Sequence, residues 1–121
     1  MTRLVFQGAV FAVLLALWTW RLCSPIPDAL RAGMNATGEP FLVAKAAHLL
    51  GYALLAALAA TLPVPRRGRV ALLGLLVLHG VATEVIQTYV PGRTGKAADV
   101  LIDWTGIAIG ALAARFWTRR P

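Results

Sequence analysis

A chain of 121 residues that is 59% hydrophobic and only 14% charged is too apolar for a soluble domain, since soluble chains carry about 25% charged residues. A net charge of +7 would point to nucleic acid in a soluble protein. Here no recognition motif accompanies it, and most arginines flank apolar runs, where they set orientation and meet anionic lipid. Nucleic acid is therefore excluded as a partner. The single cysteine, Cys23, excludes an internal disulfide and offers no metal-ligand spacing.

Four apolar runs, residues 4–20, 41–62, 70–90 and 100–117, approach the span of about 17–25 residues that crosses a bilayer. They consume most of the chain. The sequence thus predicts an all-α membrane protein, a compact bundle of four transmembrane helices forming one domain over residues 1–121. The first run is flanked by Arg3 and Arg21, as in a signal peptide. Its length, the interface anchors Trp18 and Trp20 and the lack of an A-x-A site predict a retained helix instead. Pro25, Pro27, Gly38 and Pro40 punctuate the connection that follows, within which residues 28–34 are expected to form an interfacial turn of helix.

The second run carries Lys45, His48 and Tyr52 near its start and is closed by Pro63 and Pro65. A short loop at 63–69 holds Arg66, Arg67 and Arg69, and the third run contains His79, Gly80, Glu84 and Gln87. The loop at 91–98 holds Gly92, Arg93, Gly95 and Lys96. The last run, rich in small residues, ends at Arg115, Arg119 and Arg120. With four spans, Arg3, Arg66, Arg67, Arg69, Arg115, Arg119 and Arg120 share one side, against Arg21, Arg31, Arg93 and Lys96 opposite. The excess of basic residues predicts that both termini are cytoplasmic.

The polar residues gather at the other end. Three of the five acidic residues, Glu84, Asp99 and Asp103, fall between the end of the third run and the start of the fourth. Each carboxylate at membrane depth costs about 2.5–3.5 kcal/mol on insertion scales, so three together require an explanation. At about 100° per residue, Lys45, His48 and Tyr52 share about 60° of arc. Glu84 and Gln87 are an i,i+3 pair with Gly80 on the same stripe. Asp99, Asp103, Gly106 and Gly110 form another stripe, and the two glycines permit close approach of a second helix. The expected result is a polar pocket at the outer face, lined by Lys45, His48, Glu84, Gln87, Arg93, Asp99 and Asp103 and rimmed by the 91–98 loop.

Blander roles compete for several of these residues. Lys45 can snorkel to the interface, Lys96 reads as a solvated loop charge, and Asp99 can cap the fourth helix. His79, about 140° from Glu84 around its helix, reads as a helix–helix hydrogen bonder. A structural salt-bridge network joining Glu84 and Asp103 to Arg93 and Lys45 is the main alternative to a site. His48, Glu84, Asp99 and Asp103 have metal-binding chemistry but no diagnostic spacing, so neither metal nor cofactor is assigned.

In these stretches the chain resembles the VanZ-like family of small bacterial membrane proteins. The matching blocks are K-A-A-H-L-L-G-Y (residues 45–52), E-V-I-Q-T-Y-V-P-G-R (84–93) and D-V-L-I-D-W-T-G-I-A-I-G (99–110). They fit the family pattern K-x-x-H-x-x-x-Y, E-x-x-Q-x-x-x-P-x-R and D-x-x-x-N/D-x-x-G-x-x-x-G. Asp103 stands where the family often has Asn, so that position asks for a polar group rather than a charge. The resemblance implies a multi-pass protein of the bacterial inner membrane; the family takes its name from a teicoplanin-resistance protein.

Three functions fit these residues. The first is binding or modification of a cell-envelope lipid or precursor, with membrane lipids as partners. Lys45, Tyr52, Gln87, Arg93 and Asp99 would then hold an anionic lipid-linked ligand, and Glu84, His48 and Asp103 would be the catalytic candidates. No nucleophile sits in a recognisable setting, so the reaction, if any, stays open. The second is a non-catalytic membrane partner, with Gly80, Gly106 and Gly110 packing helices and a homodimer allowed. The third is proton- or metal-linked transport.

Overall fold

The computed structural model describes residues 2–119. In chain order the helices are α1 (Arg3–Leu22), α2 (Asp28–Ala36), α3 (Pro40–Thr61), α4 (Arg66–Gln87) and α5 (Ala97–Thr118), and no strand occurs among the described residues. All but α2 are long and apolar enough to cross a membrane. The expected spans therefore hold, with ends displaced by up to four residues. Arg120, counted in the orientation argument, lies outside the described residues.

The largest displacement is at α4. Arg66, Arg67 and Arg69 belong to its first turns rather than to a loop, because the helix starts directly after Pro65 (φ −54°). Arginine is a good helix former, and hydropathy marks where lipid begins, not where the backbone starts to coil. At its other end α4 stops at Gln87, short of 90. Thr88, Tyr89 and Val90 make isolated turn hydrogen bonds, and Val90-Pro91-Gly92-Arg93 then reverses the chain with Arg93 N–H on Val90 O at 3.1 Å. Gly92 has φ +76°, so Pro and Gly occupy the two central positions that a type II turn requires.

The interfacial segment α2 is longer than the expected 28–34. It ends where the Thr37 hydroxyl bonds Met34 O at 2.6 Å and Gly38 adopts φ +76°, a left-handed exit that glycine makes without strain. Pro40 then sits in the first turn of α3, where its missing N–H costs nothing.

The most extensive packing is between α3 and α5, and glycine is the reason. A Cβ at Gly106 would strike Leu49 O, and one at Gly110 would strike Ala53 O. The contacts advance together along both helices, so α3 and α5 run parallel and their N-terminal ends lie side by side. The expected small-residue face is thus consumed inside the bundle. Around it Tyr52, Leu55, Ala56, Ala59, Leu76 and Ile107 form the core. Phe6, Val13, Leu50, Leu78, Leu101 and Phe116 are exposed, an apolar exterior of the kind that a membrane covers.

Candidate functional site

The ends of three helices converge because α3 and α5 are parallel and α4 returns between them. His48 Nδ1 and Asp103 Oδ1 share a hydrogen bond of 2.9 Å, and Glu84 Oε1 lies 3.8 Å from the same nitrogen. Asp103 is fully buried and Glu84 nearly so. A Cβ at Gly80 would sit in ordinary contact with Asp103, at 3.4 Å from its Cβ, so the α4 backbone lies close to the aspartate there. Lys96 N–H donates to Glu84 Oε2 at 3.1 Å, so the 91–98 loop fixes one carboxylate oxygen. Glu84 Oε1 and Asp103 Oδ2 are buried with no hydrogen-bond partner among the described residues. Trp18 packs edge-on against His48, with ring centroids 6.1 Å apart.

Above this cluster opens a cavity of about 380 Å³. Lys45, His48, Gln87, Arg93 and Asp99 line it, together with Gly92, Thr94 and Lys96 of the loop. Glu84 and Asp103 do not line it; both contact His48, which does. The opposite wall was not anticipated. It comes from α2 and its flanks, through Ile26, Arg31, Met34, Asn35 and Phe41. Part of the signal was present: Arg31 lies on the segment 28–34 expected in the interface, and Asn35, i+4 from it, falls just beyond that segment.

The structure pairs the charges differently from the expected network. Arg93 reaches neither Glu84 nor Asp103 by a hydrogen bond. It donates Nε to Ser24 O and Nη2 to Arg21 O, both at 2.7 Å, and Gln87 Nε2 donates to Leu22 O at 3.1 Å. The reason is the C-terminus of α1, whose last carbonyls have no intrahelical partner and carry the negative end of the helix dipole. Burial lowers the Arg93 pKa from its ordinary value and Arg21 acts in the same direction, yet a guanidinium remains charged. Lys45 instead faces Asp99 at 4.0 Å, with the lysine about half exposed. Asp99 lies in the first turn of α5 without a side-chain capping bond. Lys96 is exposed, as a solvated loop charge would be, and its ammonium lies 5.8 Å from the centre of the Phe41 ring.

Tyr52 also stands apart from the cavity. It is fully buried, and its hydroxyl meets His79 Nδ1 at 2.9 Å and Thr83 Oγ1 at 3.2 Å. His79 Nε2 meets Thr19 Oγ1 at 2.7 Å, and that hydroxyl in turn donates to Leu15 O at 2.7 Å. A consistent direction of donation follows: Tyr52 O–H to His79 Nδ1, His79 Nε2–H to Thr19, Thr19 O–H to Leu15. This chain ties α1, α3 and α4 together, with His79 as the helix–helix hydrogen bonder that its position suggested.

Helices long enough to cross a bilayer, with polar groups gathered at one end of the bundle, define a multi-pass helical membrane protein. The family follows from comparison of sequences: the profile of the VanZ/LLP1 family matches residues 4–118, nearly the whole chain, and the chain belongs to that family. No curated protein and no solved structure matches it.

Proposed function

We propose that this VanZ/LLP1 protein binds the anionic head group of a cell-envelope lipid or lipid-linked precursor in the cavity between α2, α3 and the 91–98 loop, at the outer face of the bacterial inner membrane. One observation carries the reading: Arg31, Lys45, Arg93 and Lys96 surround a cavity whose lining also includes Ile26, Met34 and Phe41, with Asp99 its one carboxylate. Cations beside an apolar wall suit a phosphate attached to a lipid tail. Arg93 keeps three of its five N–H donors after capping α1, so it serves the helix and the ligand together. The outward placement rests on the basic residues at the opposite end.

His48 lies at the cavity floor and is the group best placed for proton transfer if the bound molecule is also modified. Sequestration of a wall precursor would be the route from this site to teicoplanin resistance. The structural reading, a non-catalytic membrane partner, gains support from the use of Gln87 and Arg93 to cap α1.

Native mass spectrometry on gently extracted protein tests the proposal. A co-purifying lipid or isoprenoid phosphate is expected on the wild type and lost in the Arg31→Ala/Lys96→Ala double variant, which leaves the α1 cap intact. Wild-type protein free of bound lipid, or equal lipid on the double variant, would sink the binding reading.

A further inference from the structure

Beneath the cavity, two buried carboxylates face one imidazole. None of the surrounding ammonium or guanidinium groups among the described residues pairs with these carboxylates. Lys45 faces Asp99, Arg93 caps α1, and Lys96 offers Glu84 its backbone N–H while its ammonium lies over Phe41. Among the described residues, His48 is the one basic side chain in contact with Glu84 and Asp103. Even a charged imidazole would leave two ionised carboxylates one charge short of balance. Moreover, Glu84 Oε1 and Asp103 Oδ2 lack any hydrogen-bond partner although their side chains are only 5% and 0% exposed. Buried polar groups without partners are rare and call for a missing ligand, ion or water.

We infer that His48, Glu84 and Asp103 bind a divalent first-row transition-metal ion, with Zn²⁺ the best match. The geometry carries this. One donor atom from each residue lies within 4.8 Å of the other two. Nδ1 of His48 is 2.9 Å from one carboxylate and 3.8 Å from the other. Tetrahedral zinc with bonds of about 2.0–2.1 Å needs donors about 3.3–3.4 Å apart, between those two values. Nitrogen with carboxylate oxygen is a zinc-type donor set, whereas Mg²⁺ prefers six oxygens and keeps its waters. A divalent ion also balances the two carboxylates without help from the histidine.

Supports for the three donors are already in place. Lys96 N–H holds Glu84 Oε2 and leaves Oε1 turned toward His48, Trp18 packs edge-on against the imidazole, and the α4 backbone at Gly80 lies against Asp103. Such outer contacts orient metal ligands. His48 lines the cavity, which is therefore the open volume next to the three donors from which an ion and a fourth ligand, water or an anionic oxygen, would come. The three ligands come from three helices, at positions 48, 84 and 103, which explains why the sequence carries no metal motif.

The test uses the full chain in detergent, stripped with a chelator and titrated with Co²⁺, whose tetrahedral complexes absorb strongly in the visible. One Co²⁺ per chain, displaced by Zn²⁺, is expected. Glu84→Gln and Asp103→Asn should weaken binding by about 100-fold or more, whereas Glu39→Gln, outside the cluster, should bind as wild type. Helical circular dichroism and elution volume report folding of each variant. A folded wild type that takes up no metal overturns the inference, as do folded Glu84→Gln and Asp103→Asn variants that bind normally. Should both variants fail to fold, X-ray absorption of the zinc-loaded wild type decides. A nitrogen/oxygen shell with one imidazole supports the site, and a sulfur ligand or two imidazoles overturns it.

Discussion

Replacing Arg93 separates a structural role from a ligand-binding one. The side chain donates to Arg21 O in the last turn of α1 and to Ser24 O just past its end, each at 2.7 Å. Hydrogen bonds with one charged partner contribute about 1.5–3 kcal/mol each, so the pair has an upper bound of about 3–6 kcal/mol. Water can replace part of this, because the residues involved are only partly buried. Arg93→Ala is therefore expected to lose about 2–4 kcal/mol. Arg93→Lys keeps the charge but offers a point donor in place of a fork, so it should lose about half as much. Reversible unfolding in mixed micelles with increasing dodecyl sulfate, followed by circular dichroism, measures both. If Arg93→Ala unfolds within about 0.5 kcal/mol of wild type, Arg93 is no cap for α1, and its place in the cavity must be explained by a ligand alone.

Three further outcomes follow from the packing and the topology. Gly110→Val should abolish folded, monodisperse protein because its side chain meets Ala53 O on the neighbouring backbone. Gly74→Ala, with nothing within 4 Å, should be neutral or stabilising by up to about 1 kcal/mol; equal yields of the two variants would refute the close α3–α5 approach. Tyr52→Phe leaves His79 Nδ1 without its donor and should cost about 0.6–2 kcal/mol in the same unfolding assay, the low end being the average for hydrogen bonds between membrane helices. A cysteine at Thr94, in a Cys23→Ser background, should react with an impermeant maleimide in intact cells. Protection there, with labelling only after lysis, would put the cavity on the cytoplasmic side.

The spans were legible because about 20 apolar residues in a row have few physical readings. The gathering of Lys45, His48, Glu84, Asp99 and Asp103 was legible too, since helix periodicity places them on narrow stripes and span parity puts those stripes at one end. Pairing within the cluster was not. A sequence shows that Arg93 and Glu84 carry opposite charges, but not that unpaired carbonyls at Arg21 and Ser24 compete for the guanidinium. Nor does it show that Tyr52, one turn below His48, turns to His79 and Thr83 and leaves the cavity. The contribution of α2 was hidden for a related reason. Its placement against α3 is a tertiary fact, even though the Arg31/Asn35 spacing is local.

The family pattern divides once its residues are placed. In the block from Glu84 to Arg93, Gln87 and Arg93 finish α1, and Pro91 with Gly92 forms the turn that brings Arg93 there. In the last block, Gly106 and Gly110 admit the backbone of α3. All of these have a sufficient reason in the fold, so matching the pattern at these positions argues for architecture rather than chemistry. Glu84 and Asp103 differ. The bundle uses one oxygen of each, through Lys96 N–H and His48, and leaves the other buried without a partner. Apolar or amide side chains would satisfy packing at lower cost, because an uncompensated buried charge is among the most expensive features a fold can carry. The residues least explained by stability are thus the two carboxylates in contact with His48, and a function of this protein is to be sought first at them.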